Sequence, residues 1–228
     1  MPRLILVAAM LLVFASPDTS AAQDSREPGD PLRMAIIVDN SEAVRDDLPQ
    51  MRRALQQFLD ALPPNHELML VTTGGQMNIR VPPTRDYLEI LEGITEIHRQ
   101  TLGGNAMIGT IEEIYDRYLR TVERRYPMMV ILTSDANDVS QRITQRSLNA
   151  LLQGLTRTGV IVNAVFLTSS GVGLVRNVVL EFVKRTGGAH ESVVISTALP
   201  GRMKILASRV AEQYRKLSPG RNPVDPRK

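Results

Sequence analysis

Two aspartates stand where apolar runs give out. Asp39 closes Met34 to Val38 (MAIIV) and is followed by Asn40 and Ser41; Asp135 follows Pro127 to Thr133 (PMMVILT) and Ser134. A near-continuous apolar run is what a parallel strand covered on both faces requires. Small polar residues at its carboxyl end lie where open α/β sheets place their binding crevices. Asp39 and Ser41 are two residues apart on a tight strand-to-helix turn. Their oxygens can aim at one point, an arrangement suited to a hard cation such as Mg²⁺.

The elements that must hold these groups alternate between strand and helix. After the Met34 strand, Val44, Leu48, Met51, Leu55, Phe58, Leu59 and Leu62 recur at helical spacing until Pro63-Pro64. Glu67 to Thr73 reads as a strand, Gly74-Gly75 as a turn, and Met77 to Val81 as an antiparallel edge strand ended by Pro82-Pro83. Helices are expected over Arg85 to Ile97 and around Ile108, Ile111, Tyr115 and Tyr118, preceded by the loop Thr101 to Asn105. Strands at Pro127 to Thr133 and Val160 to Leu167 flank a helix at Gln141 to Thr158. A helix through Leu174, Val179 and Phe182 ends at Gly187-Gly188; a short strand from Ala189 to Ile195 and a helix through Met203, Leu206, Val210 and Tyr214 complete the pattern. This predicts an α/β fold: a three-layer Rossmann-like sandwich with a mostly parallel central sheet, one antiparallel edge strand and helices on both faces. Right-handed crossovers put the carboxyl ends of parallel strands on one edge. Asp39, Ser41, Asp135, the Gly103-Gly104-Asn105 loop and the Thr168 loop are expected to meet there.

With 228 residues, 43% hydrophobic and 22% charged, the chain suffices for one good core. Arg3 followed by the apolar run Leu4 to Ala15 and by Ser20-Ala21-Ala22 has the layout of a secretory signal peptide over residues 1–22. The run is shorter than the ~20 apolar residues a bilayer span needs, so no stable membrane span is expected after cleavage. Residues 23–33 read as a linker, 34–215 as the domain and 216–228 as a disordered tail. The expected location is therefore outside the cytoplasm, periplasmic or secreted. There is no Cys, which excludes disulfides, thiolate metal sites and Cys nucleophiles. Aromatic content is 4% with no Trp, so no stacking platform for nucleic acid is visible despite the net charge of +3. Arg52-Arg53 and Arg124-Arg125 read as solvated helix faces or ends.

Other chemistry finds little support. His66, His98 and His190 have no shared metal spacing and read as surface or half-buried structural residues. Ser134 lacks a Gly-x-Ser-x-Gly elbow, and Gly103-Gly104 belongs to no Walker or Gly-x-Gly-x-x-Gly pattern. Met128 and Met129 read as core, and Ser169 to Gly173 as turn chemistry or the rim of the binding edge.

The order of these elements resembles a von Willebrand factor type A domain, from about Arg33 to Arg215, and is similar to exported bacterial proteins of that family. In the family, Asp-x-Ser-x-Ser, Gly-Gly-Thr and Thr-Asp-Gly motifs form a metal-ion-dependent adhesion site. Here they stand as Asp39-Asn40-Ser41-Glu42-Ala43, Gly103-Gly104-Asn105 and Ser134-Asp135-Ala136, a degenerate set. The resemblance implies Asp39, Ser41, Asn105 and Asp135 as ligands of Mg²⁺, or Ca²⁺ or Mn²⁺, with the Asn105 carbonyl replacing the Thr hydroxyl. Loss of a ligand at Ala43 implies weaker binding, and Glu42 is expected to point away. The competing reading is a vestigial site in which Asp39 accepts hydrogen bonds from Ser41 and loop backbone groups.

The function expected is an exported, non-enzymatic module that binds a protein ligand at the Asp39/Asn105/Asp135 edge. In the intact family pattern, an acidic group of the partner completes the cation's coordination. The alternative is a metal-dependent hydrolase or phosphoryl-transfer enzyme using Asp39 or Asp135; no positioned His, phosphate-loop Lys or Asp-x-Asp pair supports it.

Overall fold

The computed structural model describes residues 29–101, 103–135, 137–141, 143–168 and 173–218. The expected signal peptide, most of the linker, Ala136, the Ser169 to Val172 loop and the tail beyond Ser218 lie outside the described residues. The strands are β1 (Leu32–Val38), β2 (Glu67–Thr72), β3 (Asn78–Thr84), β4 (Tyr126–Ser134), β5 (Ile161–Leu167) and β6 (His190–Val193). The helices are α1 (Leu48–Ala61), α2 (Tyr87–Thr95), α3 (Met107–Ile114), α4 (Gln145–Thr158), α5 (Leu174–Thr186) and α6 (Leu199–Leu217).

The strands form one sheet in the order β3-β2-β1-β4-β5-β6. Only the β2–β3 pair is antiparallel. Alternation along each strand divides the core. Met34, Ile36 and Val38 of β1 face α1, α2 and α6, where Phe58, Ile90 and Leu206 are buried. Ala35 and Ile37 face α3, α4 and α5, where Ile111, Leu155 and Phe182 are buried. The expected three layers are therefore present. The apolar runs are continuous because both faces are covered. Met128 and Met129 are fully buried, one on each face.

The element boundaries differ in instructive ways. β1 begins at Leu32, inside the expected linker, and α6 runs to Leu217, into the expected tail. The chain makes a 3-10 turn at Glu42–Val44 before α1 starts at Leu48, with Pro49 in its first turn, where its missing N–H is harmless. β3 continues through Pro82 and Pro83 to Thr84, where the turn was expected to end it. An edge strand tolerates proline, and the β2–β3 register shifts around Leu70 accommodate both. α4 starts four residues late, at a capping box between Thr144 and Ser147. Beyond Ile114 the helix widens into a π turn, Tyr115–Leu119, in which Arg120 N donates to Tyr115 O at 2.8 Å. Among the described residues, no helix is long and apolar enough to cross a membrane.

Candidate functional site

β1 lies between β2 and β4, so its carboxyl end opens into a saddle flanked by two loops. Asp39 extends the ladder by one step, its N–H donating to Leu132 O at 2.9 Å. Its carboxylate is wholly buried, a placement that requires hydrogen bonds to every face of the charge. Oδ1 accepts from Ser41 N at 2.9 Å, an Asx turn that starts the descent towards α1. Oδ2 accepts from Ser134 Oγ at 2.6 Å, from Ser134 N at 3.3 Å and from Asn105 Nδ2 at 3.0 Å. Parallel pairing of Val38 with Leu132 brings Ser134 within reach.

Asn105 bridges the saddle. Its backbone makes isolated β-bridges to Gly74 on one side and Asp138 on the other. Val139 N donates to Asn105 O at 2.9 Å, and Ala106 N to Thr73 O at 2.8 Å. The side chain is fully buried. Nδ2 donates to both Asp39 and Thr133 Oγ1, the latter at 3.0 Å, while Oδ1 accepts from Thr73 Oγ1 at 2.6 Å. The hydrogen-bond network fixes this orientation. Thr133 Oγ1 commits its proton to Ser134 O at 3.0 Å and can only accept from Asn105; a carboxylate can only accept. Two acceptors therefore face the NH₂ end of the amide.

The loops around this centre are fastened by side chains. Asn40 Oδ1 accepts from Gly74 N at 2.8 Å and Nδ2 donates to His98 O at 2.7 Å. A Cβ on Gly74 would sit 2.7 Å from Asn40 Oδ1, so the approach needs glycine. Asp138 Oδ2 accepts from Ile108 N at 2.8 Å and Ser140 Oγ from Gly109 N at 2.9 Å, which satisfies the first turn of α3.

Of the residues singled out by sequence, Asp39, Ser41 and Asn105 meet directly. Asp135 follows Ser134 on the same edge, half-buried. Glu42 points outward, ion-paired with Arg45 at 3.1 Å and Arg99 at 3.5 Å. Thr73, Thr133 and Ser134 are the partners that sequence reasoning missed; each is a hydroxyl at the end of an apolar strand, which was the available signal. His66 is buried rather than surface or half-buried, its Nδ1 accepting from Leu32 N at 3.3 Å. Burial lowers its pKa to about 4. Among the described residues, no three His, Asp or Glu side chains gather to hold a metal. Arg52 donates to Ile97 O at 3.0 Å, and Arg125 ion-pairs with Glu67, so neither is simply a solvated face.

The donor set fits a cation poorly. Ser41 Oγ, buried without a hydrogen-bond partner among the described residues, suits a metal. Against it, Asp39 Oδ2 already has three donors, and the Asn105 oxygen is turned away from Asp39 and held by Thr73. The expected use of the Asn105 carbonyl as a ligand is thus contrary to its orientation.

Residues 34–137 match the family described as von Willebrand factor type A domain. No protein of curated function matches the chain by sequence. A von Willebrand factor type A protein from Catenulispora acidiphila superposes with a TM-score of 0.62 at 14% identity, over 80% of this chain and 43% of that one. The conserved hypothetical protein BatB from Bacteroides thetaiotaomicron superposes with a TM-score of 0.60 at 15% identity, over 79% and 99%. Proximal thread matrix protein 1 from the mussel byssus, with a zinc occupied MIDAS motif, gives 0.60 at 12% identity, over 79% and 47%. The chain spans under half the length of the first and third of these. Residues 34–137 thus resemble a von Willebrand factor type A domain in sequence, and they lie within a mostly parallel Rossmann-like sheet.

Proposed function

We propose that this chain is an exported, non-enzymatic module that binds a protein partner at the carboxyl edge of its sheet, around Asp39, Asn105 and Asp135. One observation carries the reading. Among the described residues, six large apolar side chains are exposed, and Val139, Leu174, Val194 and Ile195 are four of them. All four follow the carboxyl ends of β4, β5 or β6, so these exposed apolar side chains lie towards the edge of the sheet at which Asp39 ends β1. Exposed apolar residues scattered singly are ordinary; their bias towards one edge of the sheet is what supports an interaction surface there. Export rests on the leader-like residues 1–22, and the interaction role on the family resemblance.

The hydrolase alternative loses support from the same geometry. Asp39 is buried, with three donors on Oδ2 and one on Oδ1, so it is not a free nucleophile. The test uses the chain as bait against extracts of its source, comparing recovery of bound protein by wild type, by Asp135→Ala and by Val194→Asp/Ile195→Asp. Roughly tenfold weaker capture by the double variant, with an unchanged far-UV spectrum, is expected when an apolar anchor is replaced by a charge. Equal capture by all three removes the edge from consideration. A divalent-metal-dependent turnover abolished by Asp39→Asn would install the enzyme reading instead. N-terminal sequencing of protein from the cell exterior is expected to begin at Gln23.

A further inference from the structure

We infer that the side-chain amide of Asn105 takes the place of a cation in this domain, so that the carboxyl edge is closed by the chain itself and is indifferent to divalent ions. The inference deepens the reading of the same edge, but it is tested by stability and can fail while partner capture stands.

A buried carboxylate needs positive charge or hydrogen-bond donors on each side. At Asp39 the need is met from the end of β4 and from two loops. Ser41 N covers Oδ1, while Ser134 N, Ser134 Oγ and Asn105 Nδ2 crowd Oδ2. An oxygen with about two lone pairs has nothing left for a metal when three donors point at it. The amide cannot simply rotate to present its oxygen. That would set Oδ1 3.0 Å from Asp39 Oδ2 and 3.0 Å from a Thr133 hydroxyl whose proton is engaged with Ser134 O. It would also take from Thr73 Oγ1 the acceptor it meets at 2.6 Å. Asn105 is tied by its backbone to both neighbouring loops, so the amide has no easy exit. The bridge joins β1, β2 and β4 as a bound ion would, through hydrogen bonds from a neutral group.

The experiment is a thermal melt of the purified full chain in EDTA and in MgCl₂, MnCl₂ or CaCl₂. Wild-type Tm is expected to stay within about 1 °C throughout, whereas a site filled at a hundred times its Kd would rise by about 5–10 °C. Asn105→Asp replaces the donor by a second carboxylate beside Asp39. It is expected to melt at least about 5 °C lower in EDTA at pH 7 and to regain that loss with a divalent ion. Asn105→Thr, which removes the amide and offers a hydroxyl, is expected to acquire a saturable ion response even if the Asp variant fails to fold. The inference is overturned by a saturable rise in wild-type Tm with any of the ions. It is equally overturned if Asn105→Asp is as stable as wild type in EDTA, or if Asn105→Thr shows no ion response.

Discussion

At Asp39 a single carboxylate draws together residues from positions 41, 105 and 134, and the strength of each bond should be measurable on its own. Ser134→Ala removes the 2.6 Å bond to Oδ2 while leaving the Ser134 N–H donor in place. Hydrogen bonds to charged groups contribute about 1.5–3 kcal/mol, and urea unfolding of this variant should show a loss of that size. His66 offers a second handle at the opposite end of the sheet. Leu32 N donates to its Nδ1, so the proton sits on Nε2, and the ring packs edge-on against Tyr214 at 4.7 Å. Its pKa is lowered from 6.5 to about 4 in the folded chain because burial disfavours the imidazolium. The unfolded chain therefore takes up the proton first as pH falls. The contribution of His66 is full above about pH 6.5, declines between there and about pH 4, and amounts to about 3 kcal/mol. Stability curves of wild type and His66→Gln should diverge in slope within that window; parallel curves would show that the ring titrates normally.

Between elements, close backbone contacts replace side-chain packing at a few places. Gly188 follows α5 and passes so near β5 that a Cβ there would lie 1.8 Å from Val162 O. Next to it, Ala189 N donates to Asn163 Oδ1 at 2.8 Å, and Asn163 exchanges bonds with Gln213 of α6 at 3.0 and 3.1 Å. This knot sets where β6 begins and therefore where Val194 and Ile195 emerge. Gly188→Ala should destabilise the domain by about 3 kcal/mol, as overpacking against immobile backbone does. Denaturant titration checks it. Unchanged stability would mean that the β5–β6 junction can spread. The same reliance on partners explains which features were readable in advance. The positions of Asp39 and Asn105 followed from an apolar strand ending in an acid and from the Gly-Gly pair before a helix. The orientation of the Asn105 amide did not, because it depends on Thr133 Oγ1 donating to Ser134 O and on the Thr73 hydroxyl just beyond β2. Helix starts slipped for a similar reason. α1 and α4 begin where Pro49 and the Thr144–Ser147 pair satisfy a first turn, some residues beyond where the periodicity begins.

For the molecule as a whole, the mostly parallel sheet and the helix layer on each face were legible because each face of β1 is filled by alternate residues of one unbroken apolar run. The extent of β3 was not, since proline ordinarily ends a strand and only an outermost one can ignore it. That same pair of prolines bears on how crowded copies of the chain behave. Among the described residues the sheet ends in two edge strands, β3 and β6, either of which could recruit a strand from a neighbour. On the β3 flank, two successive residues without an N–H deny an incoming strand one of its rungs whichever way the ladder alternates. Aggregation by sheet extension is thereby steered away from that side, leaving the four residues of β6 as the exposed template at the far end.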